Sequence, residues 1–145
     1  MQMPSSCLKK WLQDFSAAVR RHDFGAGKIL FDATSDSFGT VCFRAKNLDE
    51  LVARQWRKVW PNIQNFEFEY NSARAIETPE LAAVLAGWRS TTLDQTRNLI
   101  ERRGRATIVL KKFPDGWKAL HTHFSITPQL KYDPVLRHTT SSLHD

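Results

Sequence analysis

The sequence predicts an α+β fold, in which helices near the amino terminus pack on one face of a curved antiparallel sheet. Two observations support this prediction. Apolar residues recur at helical spacing in the first part of the chain, whereas the second half alternates apolar and polar residues with a period of two. Helices gathered before a run of antiparallel strands are typical of this class.

The first two predicted helices have recognisable start signals. After Pro4–Ser6, apolar residues recur at helical spacing from Leu8 to Val19, which predicts an amphipathic helix of about four turns. Asp23 can cap a short second helix that continues through Phe31, because aspartate is a preferred N-cap residue. The first helix therefore has one apolar face to bury.

A short strand and a third helix follow. The strand is predicted from Ser37 to Phe43. Asn47, with Glu50 three residues later, then forms a capping-box-like helix start, and the helix continues until Pro61. We expect this helix to cover the sheet with its apolar face, which carries Leu51, Val52, Trp56, Val59 and Trp60.

Two strands and a loop are predicted in the middle of the chain. Phe66, Phe68 and Tyr70 alternate with polar residues, so their strand should have one apolar and one polar face. A long strand runs from about Leu81 to Thr92. The polar stretch from Leu93 to Glu101 is predicted to be a loop.

The segment from Gly104 to Ser125 is predicted to be a β-hairpin. Its first strand is rich in strand-forming residues, Pro114–Gly116 has turn chemistry, and Trp117 reopens an apolar run. Period-two alternation predicts that one face of the last strand carries Trp117, Ala119, His121, His123 and Ser125, and the other carries Lys118, Leu120, Thr122, Phe124 and Ile126.

Length and cysteine content narrow the class of protein. With 145 residues, the chain is long enough for one domain with its own core, which we assign to residues 1–130. The polar segment 131–145 is expected to be a flexible tail. Cys7 and Cys42 form no metal or redox motif, so unpaired thiols are expected. Without a leader or a bilayer-spanning apolar run, we expect a cytoplasmic protein that does not bind membranes.

The basic charge of the chain raises the question of a nucleic-acid partner. The formal net charge is +6, from 21 Lys and Arg residues against 15 Asp and Glu residues. These basic residues are distributed over separate predicted helices and strands, and none forms a recognition helix or an aromatic-interleaved strand that stacks bases. No nucleic-acid partner is therefore expected.

Four stretches resemble the SnoaL-like branch of the nuclear transport factor 2-like superfamily, over roughly residues 8 to 127. They read HDFGAGKILFDATSDSFGT, LDELVARQWRKVW, LAAVLAGWRSTT and GRATIVLKKFPDGWKALHTHFS. The last stretch is also similar to the end of the calcium/calmodulin-dependent kinase association domain. The resemblance implies a cystatin-like fold: a cone-shaped curved antiparallel sheet wrapped around about three N-terminal helices, with an apolar pocket between them and a homodimer formed through the outer sheet face. It implies no single reaction.

Ketosteroid isomerase, a catalytic member of this superfamily, allows a comparison at single positions. Its chemistry needs a carboxylate base, with a tyrosine and a protonated aspartic acid as oxyanion donors. The tyrosine position falls on Phe15, the base near Ser37–Gly39 and the second donor near Thr107, so none of the three matches. Steroid isomerisation is therefore not expected. Asp36 and Asp32 are the candidates for a catalytic base if the loop places them differently.

The resemblance to the association domain implies a different site. An arginine of that domain that points into its pocket and contributes to anion binding falls on Arg89, and two further arginines fall near Thr107 and Phe124. We predict that Arg89 binds an anionic ligand in the pocket, or else that it pairs with a carboxylate of the protein or lies at the rim. The other residues predicted to line the pocket are Phe15, Phe38, Trp56, Trp60, Tyr70, Thr107 and Phe124.

His121 and His123 are interpreted as packing or subunit-contact residues, with pocket chemistry and a metal site as alternatives. An H-x-H pair supplies only two ligands and no motif supplies a third, so no metal is predicted. The association-domain comparison turns Leu120, Thr122 and Phe124 toward the pocket, which leaves both histidines on the outer face. We therefore predict a dimer interface that includes Trp88, Trp117, His121 and His123.

Two classes of function remain open from the sequence. The first is a protein whose apolar pocket binds a small organic molecule, neutral or anionic, and this class includes enzymes of lyase or isomerase type. The second is a non-catalytic ligand-binding or oligomerisation module in which the same pocket is mostly core. No motif implies a cofactor, and no certain pair of acid and base residues separates the two classes.

Overall fold

The structure, a computed structural model, describes residues 1–127, and the tail predicted at 131–145 lies outside the described residues. Helices in the first half precede an antiparallel sheet, so the predicted α+β class is confirmed. The helical elements are α1 (Ser6–Arg20), α2 (Phe24–Ile29), α3 (Leu48–Leu51), a π-helical turn (Val52–Trp56), α4 (Arg57–Val59) and 3-10 turns (Trp60–Asn62 and Tyr70–Ser72). The strands are β1 (Gln64–Phe68), β2 (Arg74–Glu77), β3 (Leu81–Leu93), β4 (Leu99–Phe113) and β5 (Gly116–Ile126).

The sheet is curved and open, and its strand order is β1-β3-β4-β5. β1 and β2 pair with successive parts of β3, so they follow each other along one of its edges. The opposite edge of the sheet is β5, and the loop before α3 covers it. Backbone N–H groups of residues 32, 36 and 38 donate to carbonyl oxygens of β5 at 2.9 to 3.0 Å. This pairing protects an edge that would otherwise expose its backbone groups.

The helix starts that the sequence predicted are confirmed. The side chains of Ser5, Asp23 and Asn47 each accept a backbone N–H from three residues later, at 3.4, 3.0 and 2.9 Å respectively. The carboxylate of Glu50 accepts the N–H of Lys46 at 2.8 Å, one residue before the position of an ideal capping box. The predicted turn at Pro114–Gly116 is also present, and Gly116 has a φ of 127°, which favours glycine.

Several predicted boundaries are wrong. The chain from Ser37 to Phe43 is not a strand, because a tight turn from Gly39 to Cys42 reverses it and leaves only single bridges. The predicted loop at 93–101 is shorter, because Asp94 Oδ1 accepts the N–H groups of Thr96 and Asn98 and closes a turn before β4 begins at Leu99. β2 is not among the strands predicted from the sequence.

The inner face of the sheet, which faces the helices, is formed by the even-numbered residues of the two long strands β3 and β4. Trp88 on β3 is 1% exposed and its indole N–H donates to the carbonyl oxygen of Arg105 at 3.2 Å. The prediction that Trp88 lies on the outer face is therefore wrong. Gly104, which pairs with Trp88, leaves room for the indole ring, since a Cβ there would lie 2.2 Å from a ring carbon.

A β-bulge in β5 changes which side chains share a face. Val109 pairs with His121 whereas Leu110 pairs with Ala119, so Leu120 is the extra residue. His121 and His123 consequently lie on the outer face, while Trp117 packs against the core. The prediction that Trp117 shares their face is wrong, because strict alternation does not continue through a bulge.

Two smaller expectations concern the cysteines and the membrane. Cys7 is exposed and Cys42 is buried, and both are free thiols, as the sequence predicted. In the part of the chain that the structure describes, no helix is both long enough and apolar enough to cross a bilayer.

Candidate functional site

An aromatic cavity lies between the helices and the inner face of the sheet. Its polar lining consists of Thr40, Gln55, Arg102 and Thr122. The volume open to the centres of water molecules is about 40 Å³, which is room for about three waters. A ligand held here must be small, or the loop at the mouth must move. The principal apolar walls are Phe15, Trp56, Trp60, Phe66, Trp88 and Phe124.

Two stacked tryptophans on the helical segment form one wall of the cavity. The ring centroids of Trp56 and Trp60 lie 4.5 Å apart, and Phe15 of α1 meets both rings edge-on. Gly27 of α2 allows this packing, because a Cβ there would lie 2.8 Å from Trp60 and 2.9 Å from Trp56. The π-helical turn Val52–Trp56 places Gln55 beside Trp56 on the cavity wall.

Gln55 holds the loop at the mouth of the cavity. Its Oε1 accepts the backbone N–H groups of Val41 at 3.0 Å and Cys42 at 2.9 Å, and its Nε2 donates to Thr40 Oγ1 at 2.8 Å. The loop approaches so closely at Gly39 that a Cβ would lie 2.3 Å from Gln55 Oε1. One amide thus holds residues 39–42. Its three hydrogen bonds satisfy the polar atoms of Gln55, which is only 8% exposed.

Arg102 of β4 is the cation on the cavity wall, and it is not among the site residues predicted from the sequence. Its guanidinium lies 5.1 Å from the centroid of the Trp88 ring, and Nη2 donates to Thr40 Oγ1 at 3.1 Å. Burial lowers the pKa of Arg102, because desolvation disfavours the charged form. Among residues 1–127, no carboxylate forms an ion pair with it.

Five residues predicted to line a pocket do lie on this cavity, and they are Phe15, Phe38, Trp56, Trp60 and Phe124. Arg89 and Thr107 do not. Both are exposed on the outer face of the sheet. They are odd-numbered residues of β3 and β4, whose even-numbered residues face inward. The inward orientation predicted for Arg89 is therefore wrong, and its neighbour Trp88 occupies the inner face instead.

Tyr70 was also predicted in the pocket, but it lies outside the cavity in the 3-10 turn after β1. Its hydroxyl donates to the carboxylate of Glu67. The second oxygen of Glu67 accepts from Arg20 Nη1 at 2.7 Å. Burial, together with the bond to Glu67, raises the pKa of Tyr70 to about 12. Tyr70 therefore stays protonated, and the carboxylate that it bonds, Glu67 of β1, joins β1 to Arg20 of α1.

Neither candidate for a catalytic base lines the cavity. Asp36 forms an ion pair with Arg44 at 2.6 Å, and the hydrogen bonds from Arg44 lower the pKa of its carboxyl group. Asp32 accepts the hydroxyl and the N–H of Thr34, which likewise lowers its pKa. Both carboxylates are therefore ionised near neutral pH and already bonded to the protein. Their prediction as bases has no support from their positions.

The two histidines lie beside the loop that covers β5. His121 Nδ1 is 2.5 Å from the carbonyl oxygen of Asp36. A carbonyl can only accept, so Nδ1 carries the proton. The ring of Phe38 contacts both imidazoles edge-on, at 5.2 and 5.3 Å between centroids. Within the described range 1–127, no three His, Cys, Asp or Glu side chains are arranged to hold a metal ion.

Comparisons with known proteins agree on one fold. The profile of the SnoaL-like domain matches residues 8–129. The CaMKII hub of S. rosetta superposes with a TM-score of 0.73 at 19% identity, over 86% of this chain and 97% of that one. A ketosteroid isomerase-like protein from Erwinia carotovora atroseptica gives a TM-score of 0.70 at 15% identity, over 86% and 96% of the two chains. A search of curated proteins finds no match.

Proposed function

This chain belongs to the SnoaL-like domain family, and on that premise we propose that its cavity binds a small, mainly apolar organic molecule without acid–base catalysis. The composition of the cavity wall supports the proposal. Aromatic rings form most of the wall, and its four polar side chains are those of Thr40, Thr122, Gln55 and Arg102. None of these titrates near neutral pH as a general acid or base must. The function is therefore binding rather than proton transfer.

Filling the cavity should abolish this binding. Val59 lines the cavity and Val41 is an exposed residue outside it. We expect toluene or indole, titrated by calorimetry, to bind the wild type and the Val41→Phe variant but not Val59→Phe. At about 100 times its dissociation constant, such a ligand should add about 2.7 kcal/mol to the free energy of unfolding. Equal binding to both variants would place the ligand elsewhere.

We further propose that the outer face of the sheet joins two copies of the chain. Ile76, Ala83, Val109 and His121 form one row across four strands of this face. Leu85 continues the apolar surface in the next row, and Ile76 and Leu85 are 57% and 40% exposed. A patch of this kind on a sheet is favourable to bury against an identical patch across a two-fold axis. The likeness to a hub domain supports the proposal.

A charge placed in this patch should prevent the association. We expect the wild type to sediment as a dimer at micromolar concentration, and Leu85→Arg to sediment as a folded monomer. Ile29→Arg is the matched control, since Ile29 is 70% exposed on α2 and lies outside this patch. A monomeric wild type, or a dimer that both variants retain, would contradict this interface.

A further inference from the structure

We propose that Thr40 is the specificity-determining residue of the cavity, and that its hydroxyl donates a hydrogen bond to the carbonyl oxygen of a small neutral ketone or aldehyde. The inference rests on the proposed function, because it names the chemical class of the molecule that the cavity binds. It depends on two observations: both lone pairs of the Thr40 oxygen are already used, and its proton has no acceptor among residues 1–127.

The hydrogen bonds of Thr40 leave its hydroxyl free only to donate. Oγ1 accepts from Gln55 Nε2 at 2.8 Å and from Arg102 Nη2 at 3.1 Å. Both nitrogens can only donate, so these two bonds use the two lone pairs of the oxygen. The orientation of the Gln55 amide is fixed, because only its oxygen can accept the N–H groups of Val41 and Cys42. The proton of Thr40 therefore remains as an unused donor.

Thr40 lies where a ligand can reach this donor. It lines the cavity and is half-buried, in the loop at the mouth. Three directions around its oxygen are taken by Cβ and by the two donated bonds, so the proton occupies the fourth. A molecule that enters the cavity displaces water from this proton. It must then supply an acceptor or leave the donor unpaired, and an unpaired donor lowers its affinity.

The surroundings of this proton favour a carbonyl over an alcohol. The two groups bonded to the Thr40 oxygen, Gln55 Nε2 and Arg102 Nη2, are donors. An alcohol would bring a proton of its own to a place where the neighbouring groups also donate, whereas a ketone or aldehyde brings only lone pairs. The bond from Arg102 also polarises the Thr40 hydroxyl, since linked hydrogen bonds strengthen one another. The aromatic walls and the volume of about 40 Å³ restrict the rest of the molecule to a small apolar body.

The test uses two ligands of one shape: cyclohexanone, and methylenecyclohexane, in which a CH₂ group replaces the carbonyl oxygen. Calorimetric titration of the full chain gives both dissociation constants. Their ratio is compared between variants, so that the different hydration of the two ligands cancels. Thr40→Val keeps the shape of the side chain but has no hydroxyl, and we expect it to reduce the preference for the ketone about five- to thirtyfold. Thr40→Ser keeps the hydroxyl and should retain the wild-type ratio within about threefold.

Further measurements separate this role from a structural one. Thr107→Val makes the same replacement on the exposed outer face and should leave the ratio unchanged within about twofold. The infrared C=O stretch of cyclohexanone bound to the wild type should lie at a lower frequency than in hexane, because a hydrogen bond weakens the carbonyl bond. In Thr40→Val the band should return toward its position in hexane. Thr40→Ala takes the place of the valine variant if valine prevents folding.

The outcomes distinguish this inference from the proposed function. The role of Thr40 is overturned, with the binding function intact, by a ratio that loss of its hydroxyl leaves unchanged or by a bound carbonyl with the frequency it has in hexane. A wild type that binds toluene but not cyclohexanone has the same meaning. If cyclohexanone, methylenecyclohexane, toluene and indole all fail to bind the wild type, the cavity does not bind small apolar molecules, and both proposals are wrong.

Discussion

Replacing Gly104 with alanine should lower the free energy of unfolding by about 3 kcal/mol, the upper part of the range for overpacked cores. A Cβ at this position would lie 2.0 Å from the carbonyl oxygen of Ser125 and 2.2 Å from a ring carbon of Trp88. The oxygen belongs to β5 and the ring is 1% exposed, so neither can withdraw without disturbing the sheet or the core. Urea denaturation followed by circular dichroism measures the change.

Gly87→Ala is the control for this prediction, because Gly87 lies beside Trp88 in β3 and is also a strand glycine. A Cβ there would meet Glu69 Oε2 at 2.8 Å, which is the end of a flexible side chain on the outer face. The carboxylate can turn away, and alanine is favoured over glycine in strands by about 0.5 to 1 kcal/mol. We expect Gly87→Ala to change the free energy of unfolding by less than about 1 kcal/mol. Similar losses for the two variants would show that the crowding at Gly104 is not the cause.

The parts of the fold that sequence analysis predicted correctly depend on local chemistry. Ser5, Asp23 and Asn47 accept backbone N–H groups three residues later at the starts of α1, α2 and α3, and Gly116 supplies the positive φ of its turn. The incorrect strand predicted from Ser37 to Phe43 depends instead on contacts between distant residues. The turn at Gly39 exists because Gln55, on another element, accepts two N–H groups of the loop.

The candidate site was predicted only in part, for a similar reason. Phe15, Trp56 and Trp60 could be placed on the cavity because their apolar spacing is visible in the sequence. The faces of the long strands require the register of each pair, and the sequence does not contain it directly. Starting the last hairpin at Gly104 left Arg102 in no strand, whereas the even spacing of Arg102, Gly104 and Ala106 would have placed it on the inner face.

The removal of one aromatic ring from the cavity wall should have the largest effect on stability. Phe15 is 3% exposed, and its ring centroid lies 5.5 to 6.0 Å from those of Trp11, Trp56 and Trp60. Phe15→Ala should lower the free energy of unfolding by about 3 to 5 kcal/mol, because it loses buried area and leaves a void. Phe43→Ala is the control, since Phe43 is 93% exposed and its loss should cost less than about 0.5 kcal/mol.

The same variant tests whether Phe15 is part of the cavity wall. Removing its ring should join the new void to the existing cavity, and an apolar void that stays dry can bind benzene. We expect saturating benzene to raise the melting temperature of Phe15→Ala by more than that of the wild type, through ligand linkage to the folded state. Phe15→Leu provides a milder version of the experiment if the alanine variant is unfolded at room temperature. Equal shifts for variant and wild type would mean that the void does not open into the cavity, and that Phe15 supports the core without forming the binding surface.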